Sequence, residues 1–203
     1  MPSPSEADAF ARCVAAGGVA VFPADTVYGL ACDPERAEAV ARLYALKGRP
    51  ARQASAVMFF DAGPALESLP ELGGRTRALL ERLLPGGVTV LLPNPRGRFP
   101  LACAQDPGTL GLRVPADSPL AGVARPVLQS SANLHGGPDA RRPADVPAAI
   151  REAADLVVDA GELPGTPSTV IDLRRFEFAG EWAVLRPGAV EREVVERAVR
   201  RVL

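Results

Sequence analysis

The sequence predicts an α/β domain on three observations. Short apolar runs closed by Pro or Gly recur along the 203 residues, and each reads as a buried strand. Segments with apolar residues at helical spacing alternate with those runs, as in layered α/β proteins. The composition is 47% hydrophobic and 23% charged, enough to bury one sizeable core. No internal repeat, low-complexity segment or linker interrupts the chain, so residues 1–203 read as a single domain.

The elements follow in order along the chain. Residues 5–16 predict a helix, with Ser5 as N-cap and Gly17-Gly18 as the stop. GVAVFP (18–23) predicts a buried strand, and residues 24–33 a loop around Gly29. Asp33-Pro34 predicts an N-cap and first helical position, for a helix running to about Leu46 and ended by Lys47-Gly48-Arg49-Pro50. A strand is expected at 55–60, short helices at 64–69 and 74–84, and a strand at 88–92. Residues 93–108 read as a loop, 109–115 as a strand, Ser118-Pro119 as the start of a short helix and 126–130 as a strand. A polar loop (131–143), a helix (144–153) and a strand (156–159) come next. The last elements are a turn (161–167), strands at 168–173 and 182–188, and an amphipathic helix over 190–202.

Composition excludes several classes. The net charge of −1 and the apolar content do not suit a disordered chain. No apolar run reaches the ~20 residues of a membrane span, so no membrane partner is expected. MPSPSEADAFAR has neither a basic nor an apolar leader region, and a cytoplasmic location is expected. Cys13, Cys32 and Cys103 are far apart and form no ligand spacing, which argues against structural zinc. The Walker phosphate loop, the dinucleotide fingerprint and a glycosidase-type carboxylate pair are all missing.

The 23 basic residues are 22 arginines and one lysine, Lys47, and the only histidine is His135. A lone lysine among arginines draws notice, because a compact ammonium and a planar fork do different work. No acid falls between Glu38 and Asp61, where Arg42, Lys47, Arg49 and Arg52 lie, nor between Glu81 and Asp106, where Arg82, Arg96 and Arg98 lie. Such blocks predict a local positive patch for a phosphate-bearing ligand; the plainer reading is solvated helix faces.

Five stretches look too polar or constrained for scaffold alone: PADTVYGL (23–30), KGRP (47–50), SSAN (130–133), STVID (168–172) and LRPG (185–188). Each has an ordinary explanation, in turn chemistry or a cation at a helix C-terminus. Lys47 and Arg49 before Pro50 also project two unlike cations from a rigid turn, suited to polyphosphate oxygens. On this reading Lys47 is exposed in a cleft.

In this order and spacing the stretches resemble the YrdC-like family over about Gly17 to Val190, together with LLPGGVTVLL, GLRVP and LRPGA. The resemblance implies a twisted mixed β-sheet flanked by helices, with a concave positive face. It implies a reaction joining L-threonine, bicarbonate and ATP, with Mg²⁺, into threonylcarbamoyl-AMP and pyrophosphate. It also implies tRNA or double-stranded RNA as a partner, and a downstream enzyme that transfers the threonylcarbamoyl group to tRNA. By resemblance, Lys47, Arg49, Ser131 and Asn133 form the catalytic set. Lys47 and Arg49 would meet ATP phosphates and the carbamate; Ser131 and Asn133 would hold phosphate or the adenylate. Thr26 and Arg113 would bind threonine, Ser168 would close that site, Arg186 would contact nucleotide phosphates and Tyr28 would line the pocket. Such chemistry needs no enzyme nucleophile, only positioned anions and stabilised charge.

Departures from the family pattern stand at Ala24, at Ala54-Ser55, at His135-Gly136 and at Leu84-Pro85-Gly86-Gly87. They leave room for a paralogue that binds RNA in translation or ribosome assembly without synthase activity. The near-zero net charge and 5% aromatic content speak against that reading. A carbamoyl-adenylate enzyme, as in hydrogenase-maturation carbamoyltransferases, ranks behind both.

Overall fold

A computed structural model of the chain describes residues 4–50 and 53–203. In chain order the elements are α1 (Pro4–Ala15), β1 (Ala20–Pro23), β2 (Tyr28–Cys32), α2 (Ala37–Lys47), β3 (Ala56–Met58), α3 (Ala62–Glu67) and α4 (Gly74–Leu83). Then come β4 (Val88–Pro93), α5 (Pro100–Cys103), β5 (Thr109–Arg113), β6 (Val127–Ser131), α6 (Ala148–Ala153) and β7 (Leu156–Val157). The chain closes with β8 (Thr169–Asp172), α7 (Phe176–Ala179), β9 (Ala183–Arg186) and α8 (Arg192–Arg200). No helix among the described residues is long and apolar enough to cross a membrane. The Ser5 side chain and Arg52 lie outside the described residues.

The strands form one mixed sheet in the order β7-β1-β2-β6-β3-β5-β4-β8-β9. The pairs β1/β7, β3/β5 and β4/β8 are parallel and the others antiparallel. This is the mixed sheet flanked by helices that the family resemblance implied, within the α/β class that the sequence pattern predicted.

Several expectations need correction. Residues 28–32 are the buried strand β2, and the loop around Gly29 shrinks to residues 24–27. Gly29 is a packing glycine here: a Cβ would lie 2.8 Å from the Phe22 ring and 3.2 Å from the Ser130 carbonyl. Asp33 does not cap α2. Its carboxylate takes the Glu35 amide at 2.9 Å in a turn of its own, and the helix starts after Arg36. Ser118-Pro119 opens turns and no helix, because Asp117 (φ 48°) and Gly122 (φ 89°) bend the chain out of helical space. The loop 93–108 holds the short α5, and α7 was not foreseen.

Alternation along the strands gives the sheet two unlike faces. Val21, Leu30, Val57, Val90, Leu112 and Leu128 point to one side, into a core with residues of α2, α3, α4, α6 and α8. On the other side, at one end of the sheet, Phe10 and Val14 of α1 cover Ala20, Phe22, Ala31 and Met58. Among the described residues no helix packs over the middle of that second face. Pairing Gly29 with Ser131, Ala56 with Gln129 and Gly111, and Thr89 with Val170 puts small and polar residues side by side there.

Candidate functional site

A cavity of about 200 Å³ opens on this uncovered middle. Its floor includes Gly29, Ala56, Thr89, Gln129 and Val170, and its walls include Arg49, Arg113, Ser131, Asp139, Ser168 and Arg186. Glycine and alanine on β2, β3 and β5 leave the space; a Cβ on Gly111 would meet Ala56 at 3.3 Å, so the floor itself is closely packed.

Three arginines reach the cavity from separate parts of the chain. Arg113, at the end of β5, is 3% exposed and pairs with Asp25 at 2.5 Å, with Thr26 Oγ1 at 3.3 Å. Asp25 is also tied to the Ala116 amide. Burial pushes the Asp25 carboxyl up, opposed by Arg113, and burial pushes Arg113 down, opposed by Asp25. At this separation the ion pair is the state we assign, since each charge answers the other's desolvation. The Nε atoms of Arg113 and Arg49 are buried with no hydrogen-bond partner among the described residues.

Arg49 follows the Gly48 cap of α2, whose positive φ of 60° turns the chain back over the sheet. Its guanidinium bonds Ser130 Oγ at 2.9 Å and the Ala54 carbonyl, and lies 5.6 Å from the Tyr44 ring centroid. Arg186, at the end of β9, is exposed and donates to the Ser168 carbonyl at 2.7 Å and to Ser168 Oγ at 3.3 Å. Ser168 in turn shares a 2.8 Å hydrogen bond with Thr89.

Lys47 is not exposed in a cleft. It is 3% exposed and does not line the cavity. Its ammonium donates to the Ser131 carbonyl, to the Asn133 carbonyl at 2.9 Å and to Asn133 Oδ1 at 2.8 Å. Asn133 Oδ1 also accepts from Ser131 Oγ at 2.7 Å, and its amide donates to the Gly137 carbonyl. Lys47, Ser131 and Asn133 therefore form one network beneath the wall, of which the Ser131 residue reaches the cavity. Burial first, then the Arg49 charge, lowers the Lys47 pKa to about 8.

Thr26 faces a neighbouring hollow bounded by Asp25, Ser118, Thr166, Val190 and Glu191. Tyr28 belongs elsewhere. Its ring is fully buried in the helix-covered core, and its hydroxyl donates to the Gly161 carbonyl at 2.8 Å and accepts from the Ala160 amide at 3.0 Å. It holds the 159–161 turn and does not line the cavity.

The two acid-free blocks do not make the positive patch. Arg42 pairs with Asp155 at 2.6 Å, Arg98 with Glu71 at 2.9 Å, and Lys47 is buried; of those blocks' described cations only Arg49 lines the cavity. The positive wall comes from tertiary convergence, which runs of charge do not report. Sequence reading also passed over Gln129, Thr89 and Asp139, all on the cavity. The only local signal for Gln129 and Thr89 was a polar residue inside an apolar strand run. Ala24, Ala54 and Ser55, three of the family departures, do line the cavity, while His135 is exposed away from it.

A family model for the Sua5, YciO and YrdC proteins, described as telomere recombination, matches residues 12–188. The threonylcarbamoyl-AMP synthase of Stutzerimonas stutzeri is 37% identical over 187 residues, 87% of this chain and 94% of that protein. The synthase of Chromohalobacter salexigens is 36% identical over 179 residues, 84% of this chain and 96% of the other. A crystal structure of P. abyssi Sua5 complexed with L-threonine superposes with a TM-score of 0.84 at 27% identity, over 98% of this chain. The chain spans 58% of the length of that P. abyssi protein.

Proposed function

The chain belongs to the Sua5/YciO/YrdC family, and from that premise we propose that it is a threonylcarbamoyl-AMP synthase. The observation that carries the reading is the cavity with three converging arginines and a hydroxyl-lined wall, on the uncovered face of a chain 37% identical to a named synthase.

In this reading the threonine amine and bicarbonate give a carbamate and water. A carbamate oxygen attacks the α-phosphorus of ATP, the bond to the bridging α,β-oxygen breaks, and pyrophosphate leaves with that oxygen. The chain's residues supply charge and position, with no covalent step. Arg49 and Arg186, the less buried guanidiniums, take phosphate oxygens. Arg113, fixed by Asp25, takes the amino-acid half beside Thr26 and Ser168. Ser131 presents its hydroxyl to the phosphates, while Lys47 and Asn133 hold it in place.

Among the described residues no group of three or more His, Cys, Asp or Glu is arranged to hold a metal. Asp139 is the carboxylate on the cavity wall. We therefore treat Mg²⁺ as part of the substrate, carried on ATP phosphates as Mg²⁺ commonly is. The proposal extends to tRNA, through a separate enzyme that transfers the threonylcarbamoyl group.

The test is pyrophosphate release from MgATP with threonine and bicarbonate each present or omitted. Release is expected only with both. ATP binding without release under any combination would overturn the synthase and leave a nucleotide-binding paralogue.

A further inference from the structure

Tyr28 does not line the cavity, yet its three polar groups each hold a different stretch of the cavity wall. Its amide donates to the Ala140 carbonyl at 2.9 Å, next to Asp139 on the wall. Its carbonyl accepts from the Ala132 amide at 2.8 Å, next to Ser131. Its hydroxyl crosses to the 159–161 turn, donating to the Gly161 carbonyl at 2.8 Å and accepting from the Ala160 amide at 3.0 Å. The first two are backbone bonds that any residue with an amide would make at this position of β2. The third belongs to the phenol alone.

That turn is the root of a strap. Gly161, with a φ of 77°, redirects the chain, and residues 161–167 then run to Ser168 without helix or strand. Such a stretch is placed by its cross-ties. The Gly165 amide donates to the Thr26 carbonyl at 2.9 Å, and the Leu163 amide to the Arg141 carbonyl at 2.9 Å. Glu162 pairs with Arg141 at 2.7 Å on the exposed side. The root is tied to a ring that is fully buried in the close-packed core. At its far end the strap delivers Ser168, whose carbonyl and hydroxyl seat Arg186. Residues 159–161 are exposed, so water would satisfy the Ala160 amide and the Gly161 carbonyl without the phenol. What the hydroxyl adds is therefore position.

We propose that Tyr28 is a positioning residue: its hydroxyl anchors the strap at its root and so sets Ser168, and through it Arg186, at the cavity's edge. The proposal rests on the synthase reading and adds to it a residue that meets no substrate. A wall displaced by about 1 Å is enough to cost up to about 10²-fold in turnover.

The experiment compares wild type with Y28F, which keeps the ring and removes only the hydroxyl. Hydrogen exchange read by mass spectrometry should quicken about tenfold over 160–168, the scale of one hydrogen bond, and stay unchanged over β4 and β5. The urea midpoint should move little. In pyrophosphate release the KM for threonine should rise at least about fivefold, with the KM for ATP within about twofold of wild type. A merely structural hydroxyl predicts fewer folded molecules, hence a lower kcat with both KM values unchanged; that result would overturn the proposal. Faster local exchange with unchanged kinetics would overturn it as well, and unchanged exchange over 160–168 would remove the anchor itself. No release by wild type would overturn the synthase reading and with it the role in turnover, while faster local exchange in Y28F would still establish the anchor.

Discussion

Leu112 and Arg113 are neighbours on β5 and stand on opposite faces of the sheet. Leu112 is fully buried against Val57 and Val90 on the helix-covered side. Arg113 is nearly as buried, but on the uncovered side, held by one carboxylate and walling a cavity. Alternation of this kind runs through the central strands. One set of residues is branched and apolar and fills space; the other is small, hydroxylic or charged and leaves space. The first set accounts for why the sheet exists, and the second for what can bind on it.

Breaking the comparison should separate stability from turnover. Leu112→Ala removes packing at the centre of the covered face and should cost about 2–5 kcal/mol in urea unfolding. Its turnover, measured on the folded fraction, should stay within a few-fold of wild type. Arg186→Ala, at an exposed end of the uncovered face, should shift stability by no more than about 0.5 kcal/mol. Its pyrophosphate release should fall at least about tenfold. Equal losses of turnover in the two variants would dissolve the distinction between the faces.

Much of this arrangement was legible in the chain. The apolar runs marked most strands, because burial between layers demands Val, Leu and Ile in short stretches. β2 was hidden, because Asp25, Thr26 and Gly29 carry turn chemistry while the glycine serves the approach of Phe22. The polar stretches pointed to the cavity's neighbourhood, and Arg49, Arg113, Ser131, Ser168 and Arg186 do meet there. Their meeting depends on strand register, which single-chain patterns do not encode. Lys47 was placed in a cleft on the strength of its rarity and its turn. Its burial follows from the Ser131–Asn133 loop folding down onto the last turn of α2, a contact between segments 84 residues apart.

Lys47 sharpens the comparison, because it serves the uncovered face from behind it. Lys47→Met should remove the ammonium donor from the Ser131 and Asn133 carbonyls and leave Asn133 Oδ1 with the Ser131 hydroxyl alone. A stability loss of about 2 kcal/mol is expected, together with loss of most turnover as the Ser131 wall loosens. A ligand-only role predicts the turnover loss with unchanged unfolding, so the same two measurements decide between them.

The pH dependence of that variant gives the smallest effect and the most specific one. Three oxygens around the Lys47 ammonium favour its charged form, while burial and the nearby Arg49 oppose it. The lowered pKa of about 8, against an ordinary 10.5, says that burial wins. Between those two values the unfolded chain binds more protons at this site than the folded one. Stability contributed by the group therefore rises as pH rises through that window, and is flat below it. Wild type should gain on Lys47→Met by on the order of 1 kcal/mol between pH 7.5 and 9.5 in urea unfolding. A difference that stays flat over that window would mean that the carbonyl cage holds the proton against burial. Lys47 would then be a permanently charged staple of the loop.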